Sequence, residues 1–285
     1  MIIVKIVGGL GNQMFGYAFA KAIEKKGHEV KIDISSYQTY TLHEYQLEKY
    51  NIDIPVSTKD ENNKLYSQTL IAKIIRKIGL DFSRRIKEKN FFYKKEFLEV
   101  KNKTYFEGYF QSEKYFKDIK NVITKQFSIK PSISSYTNDL KKIIIDSDNS
   151  CSLHIRRGDY VNSKNISTHG ISGLEYYKNA IKYLEKKFGI LTYFIFSDDI
   201  EWCKNNLNVD NAVFVNSKEK RIAHEDIYLM SLCNHNIIAN SSFSWWGAWL
   251  NINDDNVVIA PKIWFSDNSL NNESGDIVPQ DWVRL

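Results

Sequence analysis

From Ser152 onward, short β-rich runs alternate with helical runs, and this alternation constrains the fold more than any other feature of the 285 residues. Ser152–Ile155 reads as a strand, and the capping box Ser172-x-x-Glu175 opens a helix that ends before Gly189. Strand Leu191–Phe196, a short helix, strand Ala212–Val215, helix Glu225–Cys233, strand Asn236–Ala239, helix Phe243–Leu250 and strand Val257–Ala260 follow. Strands separated by helices call for parallel pairing and a doubly wound sheet. Ligands of such sheets lie outside the carboxyl ends of the strands. The polar clusters His154 to Asp159, Ser197 to Asp199 and Asn240 to Ser242 fall at those ends.

The chain opens in the same idiom. Ile2 to Val7 is β-rich, Gly8 to Gln13 is a glycine loop, and Met14 to Lys26 carries apolar residues at helical spacing up to Gly27. A second strand, Glu29 to Ile34, carries Asp33. From Ser35 to about Lys130 the pattern is irregular, with a helical stretch near Leu65–Lys77. The polar, Ser-rich run 130–149 with Pro131 reads as a connector. The length suits two domains of about 130–150 residues, placed at 1–135 and 136–285.

Net charge is +5 over 39 basic and 34 acidic residues, so no field suited to nucleic acid is evident. The basic runs Lys21 to Lys31, Arg76 to Lys89 and Lys182 to Lys187 read as solvated helix faces. The stretch Lys73 to Lys87 leaves room for peripheral contact with an anionic membrane surface. Cys151, Cys203 and Cys233 lie far apart with no CxxC, which favours buried thiols in a reducing compartment. No apolar run reaches the ~18–20 residues of a membrane span, and the expected location is the cytoplasm, with peripheral contact at the inner membrane left open. Aromatic residues make up 14%, a surplus that can pack cores or stack on sugars and bases.

Three motifs carry chemistry. Gly9-x-Gly11-x-x-Met14, with Asp33 about 20 residues on, approaches a dinucleotide fingerprint, but Met14 stands where a small residue lets helix and strand approach. The glycines still allow close backbone approach, and a helix N-terminus favours an anion. Asn12 and Gln13 add neutral donors, although a tight βα turn without ligand accounts for the same residues. In His154-Ile155-Arg156-Arg157-Gly158-Asp159, His154 and Arg156 share one strand face. Arg156 there calls for an anion, met either by a phosphate or by Asp159. Asn240-Ser241-Ser242-Phe243 brings a strand end into hydroxyls at a helix N-terminus, which is a phosphate site or a plain serine cap. The following Trp246 and Trp249 fit core packing. Asp226 suits a guanine or ribose contact or solvated surface, Asp198-Asp199 a sugar contact or a helix cap, and Asp146-Ser147-Asp148 a turn rather than a metal site.

Four blocks, Gly8 to Ala20, Gly108 to Gln111, His154 to Val161 and Ile238 to Trp246, together resemble the bacterial α-1,2-fucosyltransferases of glycosyltransferase family eleven. The resemblance covers most of the chain and is weakest in the middle of the first half. It implies an α/β, GT-B-like pair of facing Rossmann-like domains with the nucleotide cleft between them. GDP would be held mainly by the second domain. It also implies inverting transfer of L-fucose from GDP-fucose to the 2-hydroxyl of a galactose-containing acceptor glycan, with no metal and no other cofactor. In more distant relatives, residues matching Arg156, His154, Asp226 and Asn12 grip the diphosphate, lie by the nucleoside, contact guanine and lie by the reacting sugar phosphate, respectively. The catalytic expectation is therefore Arg156, Asp159 and Asn12, with Asp159 the first candidate base and Asp33 the second. The nucleotide-binding expectation is Gly9, Gly11, Gln13, His154, Asp226, Asn240, Ser241, Ser242 and Phe243. An NAD-dependent oxidoreductase would explain the first 35 residues but not the later motifs, and a non-catalytic glycan-binding module would not explain the arginines.

Overall fold

The computed structural model describes residues 1–39, 41–66, 83–130, 133–157, 172–215 and 222–285. They fall into two compact units, Met1–Ser128 and Ile129–Leu285, a division that comes ahead of the one expected after residue 135. Residues just before the helix at 135 are anchored to the second unit: Ser134 N–H and Oγ both donate to Glu225, at 2.9 and 2.7 Å.

The first unit runs β1 (Ile2–Lys5), α1 (Leu10–Lys25), β2 (Val30–Asp33), α2 (Lys59–Tyr66), β3 (Arg84–Lys87), β4 (Thr104–Glu107) and α3 (Lys120–Gln126). Its described strands form a parallel sheet in the order β2-β1-β4-β3. Helix α1 packs on β1 at Gly16, where a Cβ would lie 3.0 Å from Ile6 Cδ1. The close approach that the fingerprint assigns to its third glycine is thus displaced to Gly16, and Met14 is simply buried. Lys21, expected on a solvated face, is buried instead: it lies in ion pairs with Asp53 at 2.7 Å and Glu24 at 2.5 Å. Asp53 N–H also donates to Tyr17 Oη at 3.0 Å, so the network ties α1 to the loop beyond β2. The helix expected near Leu65–Lys77 is described only as far as α2; the rest of it, with most of the Lys73 to Lys87 stretch, lies outside the described residues.

The second unit runs α4 (Ser135–Ile145), β5 (Ser150–Ile155), α5 (Leu174–Phe188), β6 (Thr192–Ser197), α6 (Ile200–Asn206), β7 (Ala212–Phe214), α7 (Ala223–Leu232), β8 (His235–Ile237), α8 (Ser242–Trp249), β9 (Val258–Ala260), α9 (Asn268–Asn272) and β10 (Val283–Arg284). The parallel order is β10-β9-β8-β5-β6-β7. The period-2 alternation of β6 shows why helices cover both faces. Tyr193 and Ile195 pack with Tyr177, Ala180 and Leu184 of α5, whereas Phe194 and Phe196 pack with Leu140 of α4 and Leu229 of α7. Helix α5 is capped by Gly173 without a side-chain hydrogen bond, so the Ser172 capping box does not form. All three cysteines are buried and unbridged, as expected, and burial pushes the Cys151 and Cys233 thiols up. Trp246 and Trp249 are core residues. Asp146 and Asp148 are exposed in the turn after α4.

Candidate functional site

In the second unit the chain leaves β5 toward β6 and β7 on one side and later returns to lay β8, β9 and β10 on the other. The strand order reverses between β5 and β8, and the carboxyl ends of those two strands are where a doubly wound sheet receives its ligand. His154 and Arg156 come from β5 and the loop after it, and Asn240 to Phe243 from the loop after β8. Because Cys151, Leu153 and Ile155 face α5, alternation turns His154 to the opposite face. Its ring there lies 5.5 Å from that of Phe243 at 45°, and the residue is 4% exposed. Tyr177 Oη donates to the His154 carbonyl at 3.2 Å, fixing the strand end from behind.

The two arginines separate in role. Arg157 N–H donates to Asp198 at 2.8 Å, its Nε reaches Asp199 at 3.4 Å, and its guanidinium lies 3.8 Å over the Trp202 ring. Asp199 also caps α6 through Trp202 N–H at 3.0 Å, so Asp198-Asp199 follow the capping alternative and hold Arg157. Arg156, one residue earlier, is the first residue beyond β5.

Helix α8 begins at the switch point. Ser241 is its cap, with Oγ accepting from Phe243 N–H at 3.3 Å. Asn240 donates to the Trp264 carbonyl at 3.1 Å, which secures the segment after β9. Those side chains therefore build the turn, and what the turn offers an anion is the N-terminus of α8 itself. The helix sits close to α7: a Cβ on Gly247 would lie 2.7 Å from Met230 Cβ. Asp226, in the first turn of α7, is 7% exposed, which removes the solvated-surface alternative.

The glycine loop belongs to the first unit, at its own strand-order reversal, between β1 and β4. Gly8 takes φ +78°, a conformation that favours glycine, and its carbonyl accepts from Tyr37 Oη at 2.7 Å and Gln13 Nε2 at 3.0 Å. Gly9 caps α1, and Gly11 is buried in the first turn. Gln13, expected to touch ligand, is fully buried. Its nitrogen also donates to the Glu44 carbonyl at 2.8 Å, and its oxygen accepts from Gln46 N–H at 2.9 Å, so it clamps the segment 44–46 onto the loop. The clamp brings His43 against Gly9, where a Cβ would lie 3.5 Å from His43 Cε1. Nothing in the sequence around His43 marked it, because its place follows from a hydrogen bond between Gln13 and Glu44, which lie 31 residues apart in the chain.

Asp33, the second candidate base, is buried, and its Oδ1 accepts from Ser35 N–H at 2.8 Å and its Oδ2 from Tyr105 Oη at 2.6 Å. Asp159 lies outside the described residues. Among the described residues no cluster of His, Cys, Asp and Glu is suited to hold a metal, and no helix is long and apolar enough to cross a membrane.

The whole chain, residues 1–285, matches the family model "Glycosyl transferase family 11". An α-1,2-colitosyltransferase of Escherichia coli is 36% identical, covering 100% of this chain and 99% of that protein. The O-antigen biosynthesis glycosyltransferase WbnK of Escherichia coli is 34% identical over 98% of each. Among solved structures, the fucosyltransferase NodZ from Bradyrhizobium shares the fold, with a TM-score of 0.51 at 13% identity, over 87% of this chain and 91% of that one. The chain belongs to glycosyl transferase family 11.

Proposed function

We propose that this family 11 glycosyltransferase moves L-fucose from GDP-fucose to the 2-hydroxyl of a terminal galactose in a surface glycan. In this reading the reaction is inverting and needs no metal, and the fold is GT-B-like. The observation that carries it is the packing of His154 on Phe243 of α8 at the β5/β8 switch point, with Arg156 the first residue beyond β5. A diphosphate is the ligand such a place suits: a guanidinium binds phosphate bidentately and a helix N-terminus adds positive potential. Arg157 is not the binder, because Asp198, Asp199 and Trp202 already hold it.

The mechanism follows from charge. As the bond from sugar to diphosphate breaks, negative charge collects on the β-phosphate and the sugar acquires oxocarbenium character. Arg156 and the α8 amides meet that charge, a kind of contact that typically contributes about 3–4 kcal/mol to the barrier. His154, packed on Phe243, flanks the nucleoside, and Asp226 takes the guanine edge. Asn12 contacts the reacting sugar phosphate. With Asp33 buried and bonded to Ser35 and Tyr105, Asp159 takes the acceptor proton.

A second donor is favoured by the 36% identical relative, a colitosyltransferase. Colitose is fucose without its 3-hydroxyl, so one pocket can serve either sugar according to what it offers that hydroxyl. Thermal melting separates the nucleotide classes: GDP at 100 times its Kd should stabilise the protein by about 2.7 kcal/mol, and NAD should leave it unchanged. Stabilisation by NAD and not GDP would sink the reading.

A further inference from the structure

The β1/β4 switch point of the first unit holds an amide that the fold fixes in place and leaves incompletely bonded. Gln111 follows the turn Gly108 to Phe110 after β4. Glu88, just past β3, accepts on one oxygen from both Tyr109 N–H at 2.7 Å and Phe110 N–H at 3.0 Å. Gly108 cannot carry a side chain there, since a Cβ would lie 2.5 Å from Glu88 Cβ. Phe110 takes φ +52°, a left-handed conformation that costs roughly 1–2 kcal/mol in a non-glycine residue. Its buried ring, stacked 4.0 Å from Phe19, keeps it there.

This turn delivers Gln111 to the glycine loop, where its Nε2 donates to Asn12 Oδ1 at 2.6 Å. The bond sets the amide's orientation, with nitrogen toward Asn12 and oxygen away from it. Gln111 is 7% exposed, and its Oε1 is buried without a hydrogen-bond partner among the described residues. A buried acceptor left unmet costs about 1–3 kcal/mol. A latched turn, a left-handed phenylalanine and an orienting asparagine together maintain that unmet acceptor, which is how a preorganised contact for an outside donor is built.

We propose that Gln111 Oε1 accepts a hydrogen bond from a pyranose hydroxyl, with Asn12 as the residue that positions it. Both side chains are neutral amides, which suit an uncharged hydroxyl. The proposal deepens the function proposed above and takes its ligand class from it. The hydroxyl belongs either to the deoxyhexose of the donor or to the galactoside acceptor.

The test uses the full chain, with Gln111→Met, which keeps length and volume but removes the acceptor, and Gln111→Glu, which keeps an acceptor oxygen. Saturation-transfer NMR with L-fucose and with methyl β-D-galactoside reads binding without turnover. The expected result is that Gln111→Met loses transfer to one of the two sugars and Gln111→Glu retains it. In steady state, KM for that same substrate should rise about tenfold or more in Gln111→Met. A rise for GDP-fucose identifies the donor sugar as the source, and a rise for the galactoside identifies the acceptor. With wild-type protein alone, one monodeoxy analogue of that sugar should show the same roughly tenfold penalty, so the outcome does not depend on either variant folding. Unchanged binding and KM in a folded Gln111→Met, equal loss in both variants, no deoxy analogue that is penalised, or no sugar signal from wild type would each overturn the proposal. If wild type transfers nothing from GDP-fucose or GDP-colitose, the proposed function fails, while the NMR contrast still judges Gln111.

Discussion

The guanidinium of Arg157 lies 3.8 Å over the ring of Trp202. With Asp198 and Asp199 beside it, this contact makes the second of two adjacent arginines part of the scaffold. The pair should therefore respond differently to the same substitution. Arg156→Lys should keep the melting temperature and lower turnover by about 10²–10³, because an ammonium cannot reproduce a bidentate fork. Arg157→Lys should lose about 0.5–1 kcal/mol of stability from the stacked contact and keep most GDP affinity. Calorimetry and steady-state rates on the two variants check this, and the reverse pattern would exchange the roles.

The buried Asp226 should contribute to base selectivity. A carboxylate can accept from both N1–H and the 2-amino group of guanine, a pair that adenine lacks. Asp226→Ala should weaken GDP binding and narrow the gap between GDP and ADP in titration calorimetry. Unchanged selectivity would return Asp226 to a purely structural place in α7.

The unit boundary supplies a pH prediction. Glu225 accepts from Ser134 N–H, Ser134 Oγ and Thr137 Oγ1. Burial works to raise its pKa, but the hydrogen bonds from Thr137 and Ser134 outweigh it and hold the carboxyl below its ordinary 4.5. A depressed carboxyl pKa stabilises the fold fully above the unfolded value, and the contribution disappears as pH falls through the folded one. Glu225→Gln should therefore melt lower than wild type at pH 7, by about 1–3 kcal/mol. The gap should close as pH drops below 4.5. A gap that stays constant with pH would contradict the charge-based account.

Much of this architecture was legible in the sequence, and the misses have physical causes. The second half was readable because its strands are short and alternate with helices, and the polar clusters fell at strand ends as the switch-point rule requires. Loop geometry was not readable. Gln13 looked like a ligand donor, yet its three hydrogen bonds go to Gly8, Glu44 and Gln46. Asp33 stood as the second candidate base, and the hydrogen bond that it accepts from Tyr105, 72 residues away, could not be read from the sequence. Lys21 lay in a charged run, but Asp53 draws it inward. Each outcome depends on a distant partner that periodicity cannot name.

Helix α8 should be sensitive at Gly247. A methyl group there would press on Met230, and overpacking of this kind typically costs about 1–3 kcal/mol. Gly247→Ala should lower the melting temperature and, by moving the N-terminus of α8, weaken GDP binding too. A stable variant with normal affinity would show that the helices can separate without disturbing the switch point.

The central claim is transfer of a deoxyhexose from a GDP donor, and product analysis tests it most directly. Purified protein would be incubated with GDP-fucose or GDP-colitose and a β-galactoside in excess EDTA, and the product linkage read by NMR. The account predicts an α-linked sugar on the galactose 2-hydroxyl, formed at an undiminished rate without metal. No product from either donor, a β-linkage, or activity that returns only when manganese or magnesium is added would contradict it.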